Sequence, residues 1–412
     1  MSASNTVTTI DIGSSKIRTI IGYFDKENNN DFHILGIGIA NSNAIRKGNI
    51  LDMEEFKNNL DSSLEEAEKM AGEQVNGAFI SFNISGFEVI KSKGIISISG
   101  SEVTEDDIDR ALEKATTGVE IQNKEILKVI PESFVVDLEE GIKNPVGMKA
   151  RKLEVVTNIF SMNANTLSNI KKAIADIGIE VLDCYPNLLS SPEGVLTKRQ
   201  KELGVVCIDI GASTTGVTVY ENGVLNYSAV IPLGGDNVTN DIALGLRTST
   251  VIAEKVKLEY AELDLENKED FKDSSFDLSE LGTDEIGEVS REYLSKIVTA
   301  RYEEIFFFVR EELKKIGRDG MLPEGAICVG GASKMKGFTN LARTGLRLPV
   351  FIGLPVSKDD LVDASISDPE FSAVIGTMVL SNLYNDNYPS FSFSFKGLLE
   401  SIKKLFKKIL PK

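Results

Sequence analysis

One histidine, His33, and three scattered cysteines, Cys184, Cys207 and Cys328, are all that 412 residues offer toward imidazole or thiolate chemistry. That poverty excludes a zinc site of the usual spacing, a disulfide framework and a histidine-based hydrolase triad. Proline is scarce, at 11 residues, so neither a fibrous nor a low-complexity chain is in view. Positive charge is in deficit: 45 Lys+Arg stand against 62 Asp+Glu, a net charge of −17 that repels a phosphate backbone and argues against nucleic acid as a partner. No run of 18 apolar residues occurs and no basic-then-apolar leader opens the sequence, so the protein is expected to stay in the cytoplasm.

What is present is a globular composition, 42% hydrophobic and 26% charged, in a chain too long for one core. The sequence also repeats itself. Val7-Thr8-Thr9-Ile10-Asp11-Ile12-Gly13-Ser14-Ser15-Lys16-Ile17-Arg18-Thr19-Ile20-Ile21 is echoed by Val205-Val206-Cys207-Ile208-Asp209-Ile210-Gly211-Ala212-Ser213-Thr214-Thr215-Gly216-Val217. Each copy is a β-branched run, Asp-Ile-Gly, a small polar turn and a second β-branched run, which predicts a β-hairpin opening each of two related α/β halves. Amphipathic helices are expected over Met53–Met70 and Val289–Ile316. Between the copies, residues 86–162 have another texture: strand runs at Phe87–Ser99, Ile126–Leu138 and Leu153–Met162, and a helix opened by Thr104 with Asp107 as a partial capping box. Residues 232–300 read as charged helices and a polar acidic loop around Asp264–Asp284. Asn382–Phe395 is a polar connector, an edge strand or a tether, before residues 396–412, which hold six lysines and one glutamate.

Asp-Ile-Gly at a hairpin tip suits phosphate, because glycine lets backbone approach closely and successive N–H groups form an anion-binding nest. The candidate phosphate contacts are Gly13, Ser14, Ser15 and Lys16 in the first copy and Gly211, Ala212, Ser213, Thr214 and Thr215 in the second. Asp11 and Asp209 cannot hold phosphate, but facing each other they can hold Mg²⁺ through its water shell. Singly, either motif is only a turn; paired, they open two similar halves. A third element, Ala326-Ile327-Cys328-Val329-Gly330-Gly331-Ala332-Ser333-Lys334, runs an apolar strand into a turn that can press on a flat ring. Glu254 and Lys257 share one helix face and can flank a ribose and a purine, or simply pair with each other.

Two hairpin phosphate loops, an aspartate in each and a late Gly-Gly strand end resemble the actin-like ATPase superfamily. Lys47-Gly48-Asn49-Ile50-Leu51-Asp52, Ile142-Lys143-Asn144-Pro145-Val146-Gly147 and Ile231-Pro232-Leu233-Gly234-Gly235-Asp236-Asn237 are similar to the FtsA family of bacterial cell-division proteins, over essentially the whole chain. The resemblance implies a duplicated actin-like, ribonuclease H-like α/β fold with an inserted α+β subdomain and a terminal amphipathic helix. It divides the chain into a first subdomain at 1–85, continued at 163–203 and about 362–390, an insertion at 86–162, a second subdomain at 204–231 and 301–361 with a smaller lobe at 232–300, a linker at 382–395 and a tail helix at 396–412.

It further implies ATP with Mg²⁺ between the halves, homopolymer filaments, attachment to the cytoplasmic face of the membrane at the division site, and contact with other division proteins, including the C-terminal peptide of the tubulin-like FtsZ. For that peptide, Arg291, Lys296 and Arg301 offer cations near Tyr293, Ile297 and Phe306; in the plainer reading the apolar set is core and the cations are its solvated face. In the tail, Leu398, Leu399, Ile402, Leu405, Phe406, Ile409 and Leu410 recur at helical spacing while Lys403, Lys404, Lys407 and Lys408 take the other side, the pattern of a helix lying on an anionic membrane. Efficient hydrolysers of this superfamily orient water with a glutamine or glutamate. This chain reads Tyr185-Pro186-Asn187 there, with Pro186 at the matching position and only short Asn187 beside it, so binding is expected and turnover is expected to be slow. The competing readings are a small-molecule kinase and a pilus-assembly protein of the same superfamily, neither of which calls for a lysine-striped tail.

Overall fold

A computed structural model describes residues 6–25, 31–46, 49–84, 86–117, 119, 122–263, 274–281, 287–355 and 366–382. The proposed membrane residues, from Leu398 to Leu410, and all but the first residue of the 382–395 connector lie outside the described residues.

The first β-branched repeat forms β1 (Thr6–Ile12) and β2 (Lys16–Asp25), antiparallel with Asp11 opposite Arg18 and Ile12 opposite Ile17. β3 (Asp31–Asn41) extends the hairpin antiparallel. A short ribbon, β4 (Ile45–Arg46) with β5 (Asn49–Ile50), leads into α1 (Met53–Ala71). That helix starts where Asp52 accepts the N–H groups of Glu54 and Glu55, and stops at Gly72 in the left-handed region. Its face of Phe56, Leu60, Leu64 and Ala67 is buried against the sheet. β6 (Gly77–Phe82) joins β1 in parallel.

The insertion follows as β7 (Glu88–Ser97), α2 (Glu105–Thr117), β8 (Lys124–Val136), β9 (Glu139–Ile142) and β10 (Lys152–Asn163), an antiparallel sheet in the order β7-β10-β8-β9 backed by α2. Thr104 opens α2 as expected: its Oγ1 accepts from Asp107 N–H (3.3 Å), and its own N–H donates to Asp107 Oδ2 (3.0 Å). α3 (Ala164–Asp176) then returns the chain, and β11 (Glu180–Pro186) pairs in parallel with β6, giving a first sheet ordered β11-β6-β1-β2-β3.

α4 (Asn187–Val195) and α5 (Lys198–Leu203) lead to the second repeat, β12 (Val205–Ile210) and β13 (Thr215–Glu221), extended by β14 (Val224–Ile231). α6 (Gly235–Leu246), α7 (Thr250–Tyr260), β15 (Ser275–Asp277), β16 (Glu288–Ser290) and α8 (Arg291–Lys315) intervene before β17 (Ala326–Val329), α9 (Phe338–Leu346) and β18 (Val350–Ile352). The second sheet is ordered β14-β13-β12-β17-β18, with the same succession of two antiparallel and two parallel pairings as the first. The duplication read from the sequence is thus a duplication of topology. α10 (Ser372–Ser381) comes back to the first half and packs on α4 and β1.

Two expectations are corrected. The described part of the acidic segment is not a bare loop: β15 pairs with β16, and Phe276, Leu278 and Leu281 are buried, with Phe276 stacked on Tyr260 at 3.9 Å between ring centroids. Its apolar residues, sparse among the charges, carry the structure. The long helix begins at Arg291 rather than Val289, because Val289 is committed to the ladder opposite Phe276 and Ser290 caps the helix.

Candidate functional site

The two hairpin tips, the start of α6, α7, the Gly-Gly turn and the start of α10 enclose a cleft of about 480 Å³, a size that accommodates a nucleotide-sized ligand. Its wall includes Asp11, Gly13, Ser14, Ser15, Lys16, Asp209, Gly211, Ala212, Ser213, Thr214, Glu254, Lys257, Gly330, Gly331, Ala332 and Lys334. Of the expected nucleotide contacts only Thr215 and Ser333 fall behind the wall: Thr215 Oγ1 donates to Leu233 O (2.8 Å) and Ser333 Oγ to Gly330 O (2.7 Å), so both hydroxyls brace the loops instead of facing the cavity.

Both turns close on themselves, Gly13 N–H donating to Lys16 O (3.1 Å) and Gly211 N–H to Thr214 O (2.9 Å). The second is also clamped to α6: Gly235 and Asp236 N–H donate to Gly211 O (2.9 Å) and Ala212 O (2.7 Å), and Ser213 Oγ donates to Asp236 Oδ2 (2.8 Å). Gly330 must be glycine on two counts. Its φ is +84°, and a Cβ there would stand 2.5 Å from Asp209 Oδ1 and from Ile210 O. The Gly-Gly turn is therefore pressed onto the second aspartate. On α7, Lys257 Nζ pairs with Glu254 (2.6 Å) and donates to Thr239 Oγ1 (2.9 Å) and Gly235 O (3.3 Å), so the two residues are paired with each other and still line the cleft.

Asp11 is buried and Asp209 half-buried in the floor. Asp11 Oδ1 accepts from Asn187 Nδ2 (3.0 Å) and Ser81 Oγ (3.2 Å), and Arg18 stands 3.9 Å from Oδ2; burial nonetheless pushes its carboxyl above the ordinary range. Burial pushes Asp209 up to about 6, opposed by the 2.7 Å hydrogen bond from Ser191 and reinforced by the Asp11 charge. Two carboxylates that resist ionisation for want of solvation, with buried Asn83 Oδ1 and Asn187 Oδ1 lacking partners among the described residues, form a donor set suited to a hydrated divalent cation. Among the described residues no group of three or more His, Cys, Asp or Glu could hold a metal alone, so such an ion would draw further ligands from water or from phosphate.

Pro186 caps α4 with no side-chain hydrogen bond, and Asn187 beside it gives its Nδ2 to Asp11 while its Oδ1 has no partner among the described residues. The sequence reading missed several wall residues: Arg18, Asn83, Asp236, Tyr302 and Glu370. Arg18 carried a signal, since a hairpin turning at Gly13–Lys16 puts it opposite Asp11. Glu370 carried none, because its partners Lys16 and Arg18 lie more than 350 residues away in sequence and Lys334 lies 36 away.

The cations proposed for a peptide partner do not gather into one free patch. Arg301 forks onto Asp241 through Nε (2.6 Å) and Nη2 (3.0 Å) and also meets Glu304; Lys296 pairs with Glu292 (2.6 Å); and Arg291 lies over the Tyr260 ring at 5.3 Å. Phe306 is fully buried, so it belongs to the core of the lobe.

The model of the family described as "Cell division protein FtsA" matches residues 206–376, and that described as "SHS2 domain inserted in FTSA" matches residues 85–161. Cell division protein FtsA of Pseudomonas aeruginosa is 33% identical over 370 residues, 90% of this chain and 88% of the relative. That of Bacillus subtilis is 32% identical over 371 residues, 89% and 81%. Among solved structures, a PilM-PilN type IV pilus biogenesis complex is similar with a TM-score of 0.64 at 13% identity, covering 90% of this chain and 97% of its own. MreB5 of Spiroplasma citri bound to AMPPNP is similar with a TM-score of 0.55 at 15% identity, covering 93% and 97%. At such identities the structures speak to the fold, which is actin-like. The sequence relatives speak to more: this chain belongs to the FtsA family of cell-division proteins, within the actin-like ATPases.

Proposed function

We propose that this protein is a nucleotide-dependent scaffold that tethers FtsZ filaments to the inner face of the cytoplasmic membrane. The observation that carries the reading is the cleft, where two topologically equivalent hairpins bring Asp11 and Asp209 to one floor beneath the Gly330–Lys334 turn. Mg²⁺, when bound, would supply positive charge to a triphosphate. The chain's own part is to hold it through Asp11 and Asp209, to cradle phosphate with the hairpin turns and Lys16, and to seat the nucleoside against Glu254, Lys257 and the Gly-Gly turn. No side chain at Pro186 orients water, a contribution worth on the order of 10²–10⁴-fold elsewhere, so hydrolysis is slow.

The tail completes the reading. Gly397–Leu410, if helical, would be about 21 Å long, too short for the ~30 Å hydrocarbon core but suited to the interface. Each lysine near an anionic leaflet adds roughly 1 kcal/mol. Filaments of this chain would multiply that attachment by presenting many tails together. Among the described residues no helix is long and apolar enough to cross a membrane. The FtsZ peptide is assigned to the smaller lobe that carries Arg291, Lys296 and Arg301. Because Arg301 ties α8 to Asp241, its reversal would also disturb the lobe; Lys296, with 71% of its side chain exposed, is the cleaner probe.

Pelleting with and without Mg·ATP and anionic liposomes tests the nucleotide, polymer and membrane parts together, and titration of Lys296→Glu with the FtsZ C-terminal peptide tests the partner site, where affinity equal to wild type would move it elsewhere. Full-length protein should sediment with liposomes and form polymer with ATP, and removal of residues 397–412 should abolish the first while leaving ATP affinity intact. Asp11→Ala and Asp209→Ala should each weaken Mg·ATP binding. Unchanged affinity in both variants would remove the metal from this site, and a truncated chain that still sediments would remove the anchor from the tail.

A further inference from the structure

The cation cluster at the mouth of the cleft already holds an anion of its own. Glu370 sits on the 3-10 turn Pro369–Phe371, immediately before α10. Its Oε2 receives Arg18 and Lys16 (3.2 Å) from the first hairpin, and its Oε1 receives Lys334 (3.1 Å) from the Gly-Gly turn of the second half. The turn is fixed by Glu370 N–H donating to Asp368 Oδ1 (2.9 Å), by Phe371 N–H donating to Asp368 O (3.0 Å) and by Gly330 N–H donating to Pro369 O (3.1 Å). The carboxylate is 15% exposed and lines the cavity. Desolvation alone would push its carboxyl up, but Arg18, Lys16 and Lys334 together hold it down to about 2, so it stays charged at any physiological pH.

Lys16 is a cation to which the nucleotide reading assigns phosphate, and Lys334 at the end of the Gly-Gly turn lines the same cavity. A fixed carboxylate and a phosphate cannot both take them without like-charge repulsion in a partly desolvated site. We propose that Glu370 acts as an internal competitor for phosphate: its carboxylate holds the Lys16–Arg18–Lys334 cluster and is exchanged for the phosphate chain of an incoming nucleoside polyphosphate, releasing the Pro369–Phe371 turn. The proposal rests on the nucleotide reading for the identity of the ligand, but the exchange itself concerns any polyphosphate. Its effect would be felt at the start of α10. The rest of that helix is locked, since a Cβ on Gly376 would stand 1.7 Å from Ser190 O in α4.

The test uses the full chain and inorganic tripolyphosphate, followed by calorimetry, with ATP titrated in parallel. Glu370→Gln should bind tripolyphosphate about tenfold tighter than wild type, the order expected for removing one competing charge from a screened cluster. In the wild-type protein, saturating tripolyphosphate should speed hydrogen exchange at the amides of Gly330, Phe371 and Ser372, a readout that stands even if the variant folds poorly. Equal or weaker binding by Glu370→Gln, no binding by either protein, or unchanged exchange at those amides would overturn the proposal. Tripolyphosphate binding with the expected tightening but no ATP binding by wild type would overturn the nucleotide reading and leave the exchange standing.

Discussion

The two hairpins share topology, sequence pattern and an aspartate at the same strand position, yet they solve the burial of that aspartate differently. Opposite Asp11 in the ladder stands Arg18; opposite Asp209 stands Gly216. A side chain at 216 would be crowded, because a Cβ would lie 3.1 Å from Leu188 Cδ2 and 3.2 Å from Asn83 Nδ2, and those side chains would have to give way. Asp11 is therefore supported by a cation and two neutral donors, whereas Asp209 has the Ser191 hydroxyl and is pushed up to about 6. The outer faces differ too. The first tip is cationic and tied to the C-terminal turn through Glu370, and the second is neutral and tied to the start of α6. A duplicated fold thus gives the first aspartate a cation in its own ladder and the second only the field of that same Arg18, offset by the Asp11 charge, leaving room for a cation at the second.

The largest expected effect comes from making the first half resemble the second. Arg18→Leu removes the counter-charge of both Asp11 and Glu370, and breaking a buried pair costs roughly 3–5 kcal/mol. Urea unfolding at pH 7.5 should show a loss of that order. A loss below about 1 kcal/mol would mean that Asn187 and Ser81 suffice for Asp11, and the contrast between the halves would collapse.

How much of this was legible follows the range of each interaction. The hairpins, the capped helix of the insertion and the strand ahead of Gly330 are local patterns, readable because β-branched alternation, Thr104 with Asp107 and glycine at a tight turn act within a few residues. Arg18 lay one step further, recoverable from hairpin register. Glu370, Asn83 and Tyr302 reach the cleft only through tertiary folding, and no spacing in the sequence brings them to Asp11. The acidic segment was misread for the opposite reason: its charges dominate composition, while Phe276, Leu278 and Leu281, buried among its described residues, decide the structure there.

A smaller effect should come from relieving the less compensated aspartate. The Asp209 carboxyl lies at about 6 in the folded protein against an ordinary 3.8, so between those values the folded state binds more proton than the unfolded state. Stability contributed by this group therefore falls as pH rises from about 4 to about 6 and is flat above, a cost of roughly 2–3 kcal/mol at neutral pH. Glu370 works in the opposite sense and in a lower window: its stabilisation is present above its ordinary 4.5 and is lost as pH falls toward about 2. Without nucleotide or divalent cation, Asp209→Asn should flatten the pH 4–6 slope and be the more stable protein at pH 7.5. A slope unchanged by Asp209→Asn would assign it to another group.

The smallest effect isolates the single donor. Ser191 Oγ opposes the upward push on Asp209, so Ser191→Ala should raise that carboxyl beyond about 6 and carry the falling limb of stability to higher pH. The loss at neutral pH should be about 1 kcal/mol, the usual worth of one hydrogen bond. Ser81→Ala removes one of several supports from Asp11, with Asn187 and Arg18 remaining, and should move the same profile less. Measuring unfolding free energy from pH 4 to 8 in both variants decides the comparison. If Ser81→Ala displaces the profile as far as Ser191→Ala, the asymmetry between the halves comes from depth of burial and not from the number of partners each aspartate holds.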